Sequence, residues 1–202
     1  MKKIFYKENI LLTSVQATKL CELTYLQNDA HWYNARSCRI TASEAHKIFK
    51  ARTPHTRLAY FTGGSKTSNP LENFKYGHDM EGPAVKKYEE VTKNKVTKAG
   101  IVVKLDQCFL GASPDGLVID ENGDLIVLEI KCPITCKDKN IIVDYITVTG
   151  TRPLAYGLDR KHSYFTQVQL LMHCCRAKKC HFFVYSSADY TLVSVDYDER
   201  YV

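Results

Sequence analysis

Leu125-Ile126-Val127-Leu128-Glu129-Ile130-Lys131-Cys132 is the stretch on which the fold turns. A run this apolar and β-branched reads as a buried strand. Alternate residues of a strand point to one face, so Glu129 and Lys131 project side by side near its end. Charges inside an apolar strand are costly unless they are paired or bound to something. Upstream, Asn122-Gly123 reads as a hairpin turn, and Ala112-Ser113-Pro114-Asp115-Gly116 opens the strand before it. The result is an Asp on one strand and Glu-x-Lys on its hairpin partner, the sequence form of a nuclease metal site. The plain alternative is the solvent-facing end of an edge strand, where Lys commonly blocks further pairing.

Outward from this hairpin, strands are expected over residues 100–104, 108–111, 117–119 and 125–132. Two closing strands follow over 181–186 and 192–195. A helix starts at Thr41-Ala42-Ser43, with Thr41 or Ser43 as its cap and Ala45, Ile48 and Phe49 on one face. Residues 51–76, rich in Thr, Ser, Gly and Asn, read as a polar connection. A second helix is expected from about Asp79 to Thr92, with Pro83 in its first turn, where a missing N–H does little harm. A polar, basic segment occupies 133–161, and a third helix fits 164–175. The order helix-helix-strands-helix-strands suggests an α/β (α+β) fold, a central mixed β-sheet flanked by helices.

The chain has 202 residues, 45% hydrophobic and 25% charged, the balance of an ordinary globular domain. Residues 1–30 read as a short, partly helical N-terminal arm and 31–202 as a single domain. No stretch approaches a membrane span. Eight cysteines in no secreted disulfide pattern point to an intracellular chain with reduced thiols. The net charge of +6 is compatible with nucleic acid but too mild to argue for it alone. His173-Cys174-Cys175 and Cys180-His181 lack the usual zinc-ligand spacing, and these cysteines read as packing residues. Cys132 follows Lys131 on the other strand face and reads as packing too.

Phosphodiester hydrolysis needs an activated water, stabilised charge on the phosphorus centre and a neutralised leaving oxygen. Mg²⁺ suits all three and is usually held by a few carboxylates plus water. Asp115 and Glu129 are the candidate ligands, with the Ile130 backbone carbonyl a candidate third. Lys131 would orient the attacking water or stabilise developing charge. On spacing alone, Glu81 reads as a solvated carboxylate near a helix N-terminus. Tyr164 and Gln167, three apart, share one helix face, which alone is an ordinary polar face. Mn²⁺ suits the same oxygen-rich set.

Trp32-x-x-x-Arg36 followed by Ile40-Thr41-Ala42-Ser43 resembles the opening motif of the lambda-exonuclease family. The YqaJ-like viral recombinase nucleases share that pattern, within the PD-(D/E)XK superfamily. The resemblance continues through Tyr76-Gly77 to Glu81, Ser113-Pro114-Asp115-Gly116 and Leu128-Glu129-Ile130-Lys131-Cys132-Pro133. It resumes at Tyr164-Phe165-Thr166-Gln167-Val168-Gln169 and ends near Asp198-Glu199-Arg200-Tyr201. These motifs stand in family order and cover most of the chain from Trp32 to Tyr201.

The resemblance implies a restriction-endonuclease-like PD-(D/E)XK core. It also implies a 5′→3′ exodeoxyribonuclease that digests one strand from double-stranded DNA ends and leaves 3′ single-stranded tails. Its catalytic residues would be Glu81, Asp115, Glu129, Lys131, Gln167 and Tyr164. Two Mg²⁺ ions are implied, with Asp115, Glu129 and the Ile130 carbonyl as ligands and Glu81 at the second metal or its water. Arg36 and Ser43 match positions that hold a 5′-terminal phosphate; without the resemblance they would be a surface Arg and a cap. A single-strand annealing protein is an implied partner and a trimer is compatible, with the oligomer left open. The alternatives are an endonuclease or nickase on the same core, and a noncatalytic DNA-binding recombination module.

Overall fold

The Leu125–Lys131 run lies inside a four-stranded sheet, between two partners rather than at an edge. The computed structural model describes residues 2–61, 71–141 and 157–201. In chain order the elements are α1 (Lys2–Asn9), α2 (Ser14–Leu23), α3 (Ala30–Ser37), β1 (Ile40–Thr41), α4 (Ala42–Lys50), α5 (Pro54–Phe61) and α6 (Leu71–Thr92). Then come β2 (Val102–Val103), β3 (Leu110–Ala112), β4 (Gly116–Ile119), β5 (Leu125–Lys131), α7 (Ser163–Cys175), β6 (Lys179–Tyr185) and β7 (Tyr190–Asp196).

The large sheet has the order β4-β5-β6-β7, with β5 and β6 parallel and the outer pairs antiparallel. The β4–β5 hairpin turns at Gly123, whose φ of +82° only glycine adopts without strain. The Asp120 carboxylate accepts the Asn122 and Asp124 N–H groups and fixes that turn. A second sheet, β1-β3-β2, pairs β1 parallel and β2 antiparallel to β3. The mixed sheet flanked by helices is therefore present, with a small sheet beside it.

Strand β5 is apolar on both faces because helices cover both. Val127 packs with Val168, Leu171 and Met172 of α7, while Ile126, Leu128 and Ile130 pack with Ala84 and Tyr88 of α6. The adjacent phenylalanines of β6 divide in the same way, Phe182 towards α7 and Phe183 towards α6. Each such buried side chain contributes roughly 1.5–3 kcal/mol. Glu129 and Lys131 share the parity of Val127 and thus the α7 face. Helix α7 is capped by the His162 ring, which accepts the Tyr164 N–H, and it stops at Arg176 in the left-handed region, φ 56°.

Two expectations along the first half need correction. The segment 51–76 is not simply a polar connection, since α5 occupies Pro54–Phe61 and α6 begins at Leu71. Thr53 accepts the Thr56 N–H as a cap, and Pro54 fills the first helical position. Pro83 consequently lies inside α6, not in its first turn. It stands on the exposed side, where the carbonyl it leaves unpaired can face water.

Residues 2–29 hold two helices, and a third begins at Ala30. Ile10 packs into a third cluster with Ala35, Ile101, Val103 and Cys108, joined by Tyr6, Leu12 and Leu20. The backbone of α2 comes so close at Gly100 that any Cβ there would stand 2.1 Å from the Cys21 carbonyl. Arg39, 5% exposed, donates to the carbonyls of Ile10, Ala35 and Cys108 and staples these pieces together. No helix among the described residues is long and apolar enough to cross a membrane.

Candidate active site

The register of the hairpin brings Asp115 to Glu129. Gly116 pairs with Leu128, so Asp115 stands just off β4, beside the end of β5. Its carboxylate accepts the Ile130 N–H at 2.6 Å. In an antiparallel ladder the N–H and C=O of one residue share an edge, so the Ile130 carbonyl lies on the Asp115 side, beyond the last pairing with β4.

Glu129, 2% exposed, accepts the Gln167 side-chain amide at 2.6 Å and a charge-assisted hydrogen bond from Lys131. The Lys131 ammonium also lies 5.1 Å from the centre of the Tyr164 ring. Tyr164 and Gln167 thus both reach the cluster from α7. Glu129 is not the solvent-facing end of an edge strand.

The electrostatics follow from the buried Glu129 carboxylate, the half-buried Asp115 carboxylate and one ammonium. Burial, then the Glu129 charge, hold the Asp115 carboxyl well above the usual range. Burial by itself would pull Lys131 down, but Glu129 and then Asp115 outweigh it and its pKa is raised. Lys131 is therefore a cation at neutral pH and donates to Glu129. Cys132 points away into the α6 cluster, and burial followed by the Asp115 charge pushes its thiol up to about 12. It is neutral at physiological pH and unsuited to nucleophilic attack.

Glu81 is near enough to raise the Asp115 pKa, but its carboxylate pairs with Lys98 at 3.6 Å. Among the described residues, no three His, Cys, Asp or Glu side chains converge on one point. Lys98, itself half exposed, holds one oxygen of the Glu81 carboxylate. Asp115, Glu129 and the Ile130 carbonyl stand at this end of the hairpin and are all oxygen donors. That set fits Mg²⁺ or Mn²⁺.

Arg36 and Ser43 are in contact. The guanidinium of Arg36, in the last turn of α3, donates to Ser43 Oγ at 3.0 Å, in the first turn of α4. Arg36 lies over the Trp32 ring at 4.3 Å, and the Trp32 indole N–H donates to Ser113 Oγ at 2.9 Å. The parallel pairing of β1 with β3 sets this up, because β1 leads into Ser43 and β3 into Ser113. The Trp32–Ser113 bond and the Gln27 amide on the Pro114 carbonyl (2.8 Å) were not expected from sequence. Both residues of the first stood in quoted motifs, but nothing along the chain joins positions so far apart.

The cysteine-histidine runs hold packing roles. His173 bonds to Tyr197 and Gln107, and His181 to Tyr88, while Cys174 and Cys180 are buried in the core.

The YqaJ-like viral recombinase domain matches residues 31–178, from the Trp32 helix past α7. The chain belongs to this family. Two structures of an alkaline exonuclease from Laribacter hongkongensis (LHK-Exo) are similar to this member. The complex with dAMP is 26% identical, with a TM-score of 0.65 over 86% of this chain and 85% of that one. The second is 25% identical, with a TM-score of 0.63 over 85% and 84%. A phage-related exonuclease from Haemophilus somnus shares the fold at 14% identity and a TM-score of 0.56, covering 81% of this chain and 86% of that one. No curated protein sequence matches this family member.

Proposed function

We propose that the chain is a Mg²⁺-dependent 5′→3′ exodeoxyribonuclease. It would digest one strand from double-stranded DNA ends and leave 3′ single-stranded tails for recombination. The observation that carries this reading is the half-buried Asp115–Glu129–Lys131–Gln167 cluster beside the Arg36–Ser43 pair. Family membership and the likeness to alkaline exonucleases support it. Asp115, Glu129 and the Ile130 carbonyl would hold the cation, with Glu81 serving a second ion or its water. When bound, the cation supplies a more acidic water and neutralises charge on the phosphate.

The chain's own residues do the rest. Gln167 and Lys131 fix the orientation of the Glu129 carboxylate, so one oxygen has a defined direction. Lys131, held charged by its two acidic neighbours, stabilises negative charge as it develops on the scissile phosphate. Arg36 and Ser43 offer a guanidinium and a hydroxyl to a terminal phosphate, and guanidinium binds phosphate oxygens in pairs. Trp32 holds Arg36 by its ring and keeps the guanidinium plane in place.

The test is a linear duplex with phosphate on both 5′ ends and a label on one 3′ end, incubated with Mg²⁺ beside a covalently closed circle. Mononucleotide release, a retained 3′-labelled strand and an untouched circle are expected. A cut circle would replace this reading with an endonuclease. Binding without turnover would leave a noncatalytic DNA-binding module.

A further inference from the structure

We infer that Ser113 is a positioning residue that couples the end-phosphate pocket to the Asp115 carboxylate, through its hydrogen bond with Trp32. The inference rests on the nuclease reading above and adds to it how an end phosphate would act on the cutting site.

Trp32 is the junction. Its ring carries Arg36 at 4.3 Å, and Arg36 donates to Ser43. Its N–H donates to Ser113 Oγ, two residues before Asp115. Indole N–H is a donor only, so the direction of this bond is fixed and the Ser113 oxygen is its acceptor. The Ser113-Pro114-Asp115 turn is held at three successive residues. Trp32 holds Ser113 at 2.9 Å, Gln27 holds the Pro114 carbonyl at 2.8 Å, and the Ile130 N–H holds Asp115 at 2.6 Å. Gln27 also donates to the Ala99 carbonyl at 2.7 Å, anchoring the middle of the turn to the scaffold. Pro114 fixes its own φ, so a displacement at Ser113 has little backbone freedom in which to dissipate before Asp115.

Of the three anchors, the Trp32 bond alone leads to a phosphate-binding side chain. A phosphate held by Arg36 draws the guanidinium, and with it the Trp32 ring and the Ser113 hydroxyl. Reaction rates respond steeply to small misplacements of reacting groups. A 5′-phosphorylated end should therefore improve the placement of Asp115, and the preference for such ends should appear in kcat as well as in KM.

Two measurements on the full chain test this. Trp32 is the chain's one tryptophan, so its emission reports the junction directly. Mg²⁺ titrated without DNA should perturb that emission in the wild-type protein and leave it unchanged in Ser113→Ala. No change in the wild type, or equal changes in both, would overturn the coupling.

In steady-state digestion, Ser113→Ala should shrink the kcat ratio of 5′-phosphorylated over 5′-hydroxyl ends about three- to tenfold, the loss of one net hydrogen bond. Ser113→Thr, which keeps the acceptor, should restore the ratio. Trp32→Phe should shrink it to a similar degree, and the double variant should go no further, as for two ends of one bond. Equal slowing on both kinds of end, or additive effects, would make the bond merely structural. If the wild-type chain cleaves nothing, the nuclease reading fails, and the emission titration still decides the coupling.

Discussion

Replacing Gln167 by Met removes the amide that α7 extends to Glu129 while keeping a side chain of similar volume. The amide donates at 2.6 Å to a carboxylate that is 2% exposed. A hydrogen bond to a charged group contributes about 1.5–3 kcal/mol to stability. Lys131 remains on the same oxygen in the variant, which places the expected loss in the lower part of that range, about 1.5–2 kcal/mol. At about 2–4 °C per kcal/mol for a chain of this size, the Tm should fall by about 3–8 °C. Thermal unfolding at pH 8 without divalent cation measures it. In a Glu129→Gln background the acceptor is neutral, and the same substitution should cost no more than about 1 kcal/mol. A Gln167→Met variant within about 0.5 kcal/mol of its parent, or an equal loss in both backgrounds, would refute the idea that Gln167 holds Glu129.

Three more outcomes follow from the same geometry. The Asp115 pKa is raised by burial and by Glu129, so the folded state binds more protons than the unfolded one above the unfolded value of about 3.9. Stability therefore falls as pH rises from there through the folded pKa. Asp115→Asn, which can still accept the Ile130 N–H, should raise the metal-free Tm at pH 8, with the gain fading towards pH 4; a variant less stable than the parent at pH 8 contradicts this. Mg²⁺ should raise the Tm of the parent and much less that of Asp115→Asn, since ligand bound to the folded state alone stabilises it. Arg36→Ala should weaken the preference for 5′-phosphorylated over 5′-hydroxyl ends, and the wild-type protein degrading both equally would remove the assigned phosphate contact.

Strand β5 was legible because a continuous apolar run has few other solutions, and the hairpin because Asn122-Gly123 specifies its own turn. Together they put Asp115 beside the end of β5, where it accepts the Ile130 N–H. Helix α7 was legible within one residue from its apolar spacing. Helix α5 was hidden by Thr and Arg in a short segment, although Thr53-Pro54 is a helix start. The beginning of α6 was hidden by Pro83, which looked like a first-turn residue and is instead carried on an exposed helix face. The sequence also left the partner of Glu81 open, because Lys98 reaches it only through the tertiary fold. Nor did it show that Arg39 would be buried against three carbonyls, since a basic side chain is expected in water. The link from Trp32 to Ser113 depends on β1 lying against β3, strands two and three residues long that no periodicity can reveal.

The most direct test of the account compares Lys131→Ala with the wild-type protein, on the same phosphorylated duplex with Mg²⁺, for binding and for cleavage. Lys131 is the cation of the cluster, so its loss should lower the cleavage rate about 100-fold or more while DNA affinity changes by no more than about threefold. Cleavage by the variant at the wild-type rate would contradict the assignment of the Asp115–Glu129–Lys131 cluster as the cutting site.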